Sequence, residues 1–407
     1  MYPRWQKKLV LEAMKTRRVV LLSGIRQCGK TTLARDLMDN EMEYRTLDDV
    51  GLRKAAENDP QAFVKRIDRP LIIDEVQRVP DLLLAIKMAV DEDTRPGQYL
   101  LTGSTNIQSI PSVRESLAGR ITKLRLRPLS QGELHEISHT FLKRAFRQEL
   151  KTPEQHYDRD ALIDAASVGG FPEARLLEDH AQRGWHKDYI ESILDRDLQD
   201  ITKIRDQDAM RELVNVTAAW SSKFINLNAI GSHLSIRSAT LRSYLNALEA
   251  LYIIDRVRPW TKTDYDRVGK ADKLFFADSG LMFSLLDWHK DQVRFDSYRL
   301  GKLIETFAYN ELSAHVDADR DQYTLKHYRD RQQREIDFMI ERNDGALLMI
   351  EVKAGSNIAN KDFKHMRWFK ENIAPDRSCV GLVLHTGKHA ASFGDDMWMV
   401  PFGALWT

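Results

Sequence analysis

Residues 19–32, VVLLSGIRQCGKTT, constrain this chain more than any other stretch. Gly24 is followed by four residues and then by Gly29, Lys30 and Thr31, the complete pattern of a phosphate-binding loop. An apolar β-branched run leads in, and TTLARDLM, with Leu33 and Leu37 four apart, leads out as a helix. That order suits the chemistry. Loop amides and a helix N-terminus offer N–H groups and positive dipole to a polyphosphate, and glycines let the backbone come close. In this reading Gly24, Ile25, Arg26, Gln27, Cys28, Gly29, Lys30, Thr31 and Thr32 bind ATP. Lys30 neutralises the terminal phosphates, the Thr31 hydroxyl meets Mg2+, and Thr32 continues the helix. Cys28 is a small filler, or a thiol made reactive by Lys30. The plain alternative, a glycine turn beside a surface lysine, leaves the flanking strand and helix unexplained.

At 407 residues the chain exceeds what one core usually organises, which predicts two to four domains. No apolar run reaches the ~18 residues of a membrane helix, and MYPRWQKKLV has no apolar signal core; the expectation is a cytoplasmic protein without membrane contact. Cys28 and Cys379, the two cysteines, supply neither a disulfide framework nor a zinc site. A net charge of +1 leaves no global basic field, so any nucleic-acid binding must come from local patches.

Two further apolar runs end in chemistry. Leu71, Ile72 and Ile73 lead into Asp74 and Glu75, and strand carboxyl ends form the ligand crevice of a parallel α/β sheet. Asp74 then suits Mg2+ and Glu75 suits polarising the attacking water; a strand end followed by a helix-capping acid is the alternative. Tyr99, Leu100 and Leu101 lead into Thr102, Gly103, Ser104, Thr105 and Asn106. Ser104 or Asn106 could face the γ-phosphate or the water, or Gly103 and Ser104 could form a turn. Arg120 ends the helix expected through Leu117–Ala118–Gly119, either as an arginine finger in its own or a neighbouring subunit or as a surface arginine.

GIRQCGKTTL, LIIDEVQRVP, LLTGSTN, SLAGR and PLSQGEL together resemble the prokaryotic predicted ATPases of the AAA+ superfamily that carry a C-terminal domain of unknown function. GGFPEA (169–174), YIESILDRD (189–197) and KLFFADSGL (273–281) extend the resemblance over nearly the whole chain. It implies an ATPase core with Asp74 and Glu75 as metal and water acids and Arg120 as finger candidate. Cys28 departs from the smaller or β-branched apolar residue more usual in that loop.

Residues 131–206 are mostly helical and charged and resemble the lid that follows such a core. Asp195, Arg196 and Asp197 fit a solvated or ion-paired helix face. Residues 207–262 look like a winged helix-turn-helix: DAMRELVNVTAAW, LNAIGSHL and SATLRSYLNALEAL as helices, Ser238 capping the third, and YIIDRVRPW as the wing. Leu241, Leu245, Leu248 and Leu251 share one face of the third helix. Arg237, Arg242, Ser243 and Asn246 could reach DNA from the other, though Glu249 opposes this and such modules also contact proteins.

Past a helix carrying Glu305, the segments EIDFMI and LLMIEVK form a predicted hairpin. An acid, a hairpin and a Glu-x-Lys strand resemble the PD-(D/E)XK nuclease-like superfamily, with Glu305 as the helical acid found in some members. Strand parity places Glu351 and Lys353 on one face. A two-residue turn would mix polar and apolar residues on each face. A three-residue turn, Asn343–Asp344–Gly345, instead pairs Phe338 with Ile350, Ile340 with Leu348, and Asp337 with Glu351. Adjacent carboxylates repel unless a cation sits between them, so Glu305, Asp337 and Glu351 are candidate ligands of Mg2+, or of Mn2+, with Lys353 acting on the water and phosphate. A polar pair on a half-exposed sheet is the alternative. In ANKDFKHMRWFKEN, Phe363, Met366 and Phe369 point inward and Lys361, Lys364, Arg367 and Lys370 are available to phosphates.

The fold class expected is α/β: a P-loop AAA+-type ATPase core (1–130), helical lid (131–206), winged helix-turn-helix (207–262), connecting segment (263–292) and restriction-endonuclease-like domain (293–407). The leading expectation is Mg2+-dependent ATP hydrolysis coupled to DNA binding or processing, with metal-dependent phosphodiester cleavage as its furthest form. The alternative is a nucleotide-controlled switch that binds a protein partner through an inactive nuclease-like domain. Homo-oligomerisation is left open.

Overall fold

A computed structural model describes residues 2–37, 42–65, 70–106, 119–201, 206–234, 236–263, 270–319 and 322–407. Helix α1 (Gln6–Thr16) precedes β1 (Val19–Ser23), which is buried at every position, as a strand covered on both faces must be. The glycine loop then opens α2 (Lys30–Asp36). Strands β2 (Glu43–Thr46), β3 (Leu71–Asp74), β4 (Tyr99–Gly103) and β5 (Ile121–Arg125) complete a sheet of order β2-β3-β4-β1-β5. Every pairing is parallel, so all strand carboxyl ends share one edge, and the glycine loop, Asp74 and Thr102 lie there. Asp49, just past β2, is a helix cap: its side chain accepts from Leu52 N at 2.8 Å. The helix expected before Arg120 falls within 107–118, outside the described residues.

The helices that follow end in the long α3 (Asp179–Ile201). Its acids are ion-paired, Asp197 with Arg26 of the glycine loop at 2.9 Å and Asp195 with Arg211 at 3.0 Å. GGFPEA and KLFFADSGL, a hundred residues apart in sequence, form one buried joint. The Asp278 carboxylate accepts from Gly170 N at 2.7 Å and from Leu281 N at 2.8 Å, fixing the GGFPEA loop against the helix that Asp278 caps.

Helix α4 (Gln207–Trp220), β6 (Lys223–Phe224), α5 (Leu227–Leu234), α6 (Ser238–Ala250), β7 (Ile254–Val257) and β8 (Lys273–Phe276) form a three-helix module with an antiparallel sheet of order β6-β8-β7. Leu241, Leu245, Leu248 and Leu251 are all buried. Ser238 is the first helical residue rather than the cap; Arg237 holds that position and makes no capping bond. Residues 263–292, expected as a connector, contribute the central, fully buried strand β8. Strand pairing over long sequence separation hides such a role from local patterns.

Helix α7 (Ser297–Ala318) precedes β9 (Tyr323–Arg329), β10 (Glu335–Arg342), β11 (Leu347–Val352), α8 (Lys364–Asn372), β12 (Cys379–His385), β13 (Ala391–Ser392) and β14 (Met397–Pro401). The sheet order is β13-β14-β12-β11-β10-β9. In the β10–β11 hairpin Phe338 faces Ile350 and Ile340 faces Leu348, with Gly345 of the turn at φ 87°. This is the register that hydrophobic alternation selects. Phe363, Met366 and Phe369 are buried beneath α8, while Lys370 pairs with Asp396 at 2.7 Å and Arg367 donates to Phe393 O at 3.0 Å. Those two cations are therefore already engaged.

A buried ionic cluster joins the parallel sheet to the rest. Arg125 and Arg127, at and just past the end of β5, meet Asp255 of β7 at 2.7 and 2.8 Å, and Tyr309 of α7 donates to Asp255 at 2.6 Å. Nearby, Glu311 of α7 accepts from Gln131 N at 3.1 Å and from Trp406 Nε1 at 2.7 Å. Burial pushes the Glu311 carboxyl up to about 8. A raised folded-state value means that the folded protein keeps a proton the unfolded chain has lost. The resulting stabilisation is present below the ordinary glutamate range and disappears as pH rises to about 8. Glu311→Gln is therefore expected to flatten the decline in thermal midpoint between about pH 5 and 8. Parallel declines in both proteins would contradict the assignment.

Candidate functional site: the P-loop and a second carboxylate cluster

The loop after β1 closes over a cavity of about 400 Å3 whose walls include Arg26, Gln27, Lys30, Thr31, Thr32 and Glu75. Gly24 has no room for a side chain: a Cβ there would lie 2.0 Å from Leu126 O. Cys28 is a buried filler, its Sγ 3.4 Å from Leu126 O. Lys30 is buried, and its Nζ donates to Ile25 O at 2.9 Å, so the ammonium is curled over the loop that would take the phosphates.

Asp74 is the hub of the sheet edge. It accepts from Thr31 Oγ1 at 3.0 Å, from Tyr44 OH at 2.9 Å and from Thr102 of β4. A hydroxyl and a carboxylate meeting in this way are the hard oxygen donors that Mg2+ favours, so the residues present fit the ion. Glu75 adopts a left-handed backbone (φ 58°), a conformation uncommon outside glycine. Its carboxylate accepts from Gln77, whose amide also donates to Ser104 Oγ at 3.0 Å. The third apolar strand thus reaches the site through Thr102 and Ser104.

Asn106 is placed otherwise. Its Oδ1 accepts from Lys123 and its N–H donates to Ala250 O at 2.8 Å, and it is not among the cavity walls. Arg120 precedes β5, at the amino end of the parallel sheet, opposite the glycine loop, and pairs with Asp91 at 3.1 Å. Arg120 is not among the walls of the cavity beside the glycine loop.

Several wall residues had no sequence signal of their own. Tyr2, Arg4, Pro172 and Glu173 line the cavity. Arg4 donates to Cys28 O at 2.7 Å, to Arg127 O at 2.6 Å and to Glu133 at 3.0 Å, pinning the loop from behind. Pro172 and Glu173 arrive with GGFPEA, a motif that the family resemblance singles out without giving it a role. Tyr189 and Asp197 of α3 also grip the loop, Tyr189 OH donating to Arg26 O at 2.9 Å.

The candidate C-terminal residues converge, joined by Lys273 and Glu335. Asp337 accepts from Val352 N at 2.9 Å, and Lys353 Nζ lies 3.0 Å from Glu351. Burial and the neighbouring Asp337 charge push the Glu351 carboxyl up to about 8. Lys273 of β8 enters from the neighbouring module, its Nζ 2.6 Å from Glu305, 2.7 Å from Glu335 and 3.3 Å from Asp337. Burial alone would lower the Lys273 value, but the charges of Glu305, Asp337 and Glu335 outweigh it and hold the ammonium protonated. Among the described residues, no group of three or more His, Cys, Asp or Glu side chains is arranged to hold a metal ion.

A parallel sheet with a glycine loop, a lysine, a hydroxyl and an acidic strand end defines a P-loop nucleotide-binding fold. Residues 16–135 match the AAA domain family, which supports a P-loop ATPase core in this part of the chain. Residues 159–292 and 300–405 match two domains of unknown function, DUF8612 and DUF4143. Uncharacterised proteins of Mycobacterium bovis and Mycobacterium tuberculosis are each 26% identical over 394 residues, covering 96% of this chain and 81% of the relative. Among solved structures, a Walker-type ATPase of Pyrococcus abyssi is similar at 15% identity and a TM-score of 0.44, covering 70% of this chain and 96% of that one. The RuvB Holliday junction branch migration motor of Thermotoga maritima is similar at 19% identity and a TM-score of 0.26, covering 62% and 87%. No helix among the described residues is long and apolar enough to cross a membrane.

Proposed function

We propose that the chain is a Mg2+-dependent ATPase that works as a nucleotide-controlled switch, passing the state of its P-loop to the C-terminal domain and so to a macromolecular partner. Lys30 and the loop amides bind the terminal phosphates, and Glu75, held by Gln77, orients the attacking water. Thr31 and Asp74 hold Mg2+, which when bound supplies charge neutralisation at the phosphates. Arg120 serves a neighbouring subunit in a homo-oligomer.

One observation carries the switch: the edge that bears the P-loop is bonded directly to the distal modules. Ser23, at the end of β1, accepts from Tyr252 OH at 3.0 Å, and β5 is tied through Asp255 to Tyr309 on the same helix that carries Glu305. Hydrogen exchange with and without Mg2+-ATP tests it. Nucleotide is expected to change protection in β7 and α7 of wild type but not of Lys30→Ala. A response confined to residues 16–135 would end the switch reading.

The convergence of Asp337, Glu351 and Lys353 on neighbouring strands favours a second reading, DNA processing with Mg2+- or Mn2+-dependent cleavage. The three-helix module supports DNA contact through the exposed Arg237, Arg242 and Ser243, whereas Asn246 accepts from Arg256 at 2.7 Å. On labelled single-stranded, duplex and branched DNA, this reading expects cleavage by wild type that is lost in Glu351→Ala. Absence of cleavage from protein that turns over ATP would leave the switch.

A further inference from the structure

We propose that Lys273 is the resident cation of the C-terminal carboxylate cluster and keeps divalent metal ions out of it. Lys273 is 2% exposed and lies in a strand, KLFF, whose other residues are apolar and buried. A lone ammonium in such a place carries a large desolvation cost, which only close acceptors offset. Three carboxylates supply them, from two elements: Glu305 on α7, and Glu335 and Asp337 on β10, at 2.6, 2.7 and 3.3 Å. The ammonium donates to Glu335 and Asp337 and is ion-paired with Glu305. The same point is where a metal ion shared by Glu305 and Asp337 would sit, so the ammonium and a divalent ion exclude one another by space and by charge.

The remaining ligand candidates are engaged as well. Asp337 spends its other oxygen on Val352 N–H at 2.9 Å, and Glu351 is paired with Lys353 at 3.0 Å. Lys273 also sits on the strand paired with β7, whose Asp255 is bonded to the ATPase sheet, so the cation arrives from the nucleotide side of the molecule. This inference deepens the switch reading and rests on it for its consequence: acids neutralised from within offer a surface to a partner and no metal-dependent cleavage site.

Calorimetric titration of Mn2+ into the full-length, nucleotide-free protein tests it, comparing wild type, Asp337→Asn, Lys273→Met, Lys273→Met/Asp337→Asn and Lys273→Arg. Wild type and Asp337→Asn are expected to give the same isotherm. Lys273→Met is expected to gain a Mn2+ site that the double variant loses, and Lys273→Arg to behave as wild type. A wild-type Mn2+ site weakened about ten-fold or more by Asp337→Asn would overturn the proposal, as would a folded Lys273→Met that gains none. Where Lys273→Met does not fold, the wild-type and Asp337→Asn pair still decides. Hydrogen exchange of the same samples with ATP keeps failure of the switch separate from failure of this inference.

Discussion

Lys30→Ala is expected to lower ATP turnover by about 100-fold or more, the usual effect of deleting a donor aimed at developing charge. The native fold is expected to survive, because the side chain makes a local bond, Nζ to Ile25 O at 2.9 Å, rather than a long-range one. Glu75→Gln should separate the steps, retaining nucleotide binding while losing turnover, since a neutral amide keeps the contact with Gln77 and loses the basicity that polarises water. Phosphate release measured beside equilibrium binding of a fluorescent ATP analogue resolves both. Wild-type turnover in Lys30→Ala would place any hydrolysis outside the P-loop.

Asp255→Ala should cost about 3–5 kcal/mol of stability, the scale for removing one partner of a buried charge pair. Burial would raise the Asp255 carboxyl, but Arg125, Arg127 and the Tyr309 hydroxyl outweigh it and hold the group well below the usual carboxylate range. Without it Arg125 loses its partner at 2.7 Å, while Arg127 retains Asp317. Urea denaturation read by tryptophan fluorescence gives the value. A loss under about 1 kcal/mol would mean that water screens the cluster as it does a surface pair. Because Asp255 also joins β5 to α7, residual native Asp255→Ala should bind ATP while transmitting less of it to α7 in hydrogen exchange.

Much of the ATPase end was legible because its signals are local. A strand, a glycine loop and a helix occupy consecutive residues, so the geometry of Gly24, Lys30 and Thr31 follows from spacing alone. Asp74 and Glu75 could be named because a parallel sheet puts strand ends on one edge. The hairpin register followed from alternation, since a one-residue slip would have exposed Phe338 and Ile340. The leucine face of α6 followed from helical period in the same way. Ser238 was misplaced by one position, a difference set by backbone angles at the helix start that composition does not specify.

The remainder depends on neighbours brought together over long separations. Asn106 ends a suitable strand, yet Lys123 and Ala250 hold it away from the cavity walls. Arg120 resembles a finger in sequence, and the direction of β5 places it at the amino edge of the sheet, paired with Asp91. Nothing about KLFF announces that Lys273 will meet Glu305, Glu335 and Asp337, because the contacts join elements far apart in sequence. Periodicity and spacing act along the chain and carry the strand–loop–helix, the hairpin and the amphipathic faces. Charge compensation acts through space in a low-dielectric interior, so the partners of the acids emerge only once the whole chain has folded.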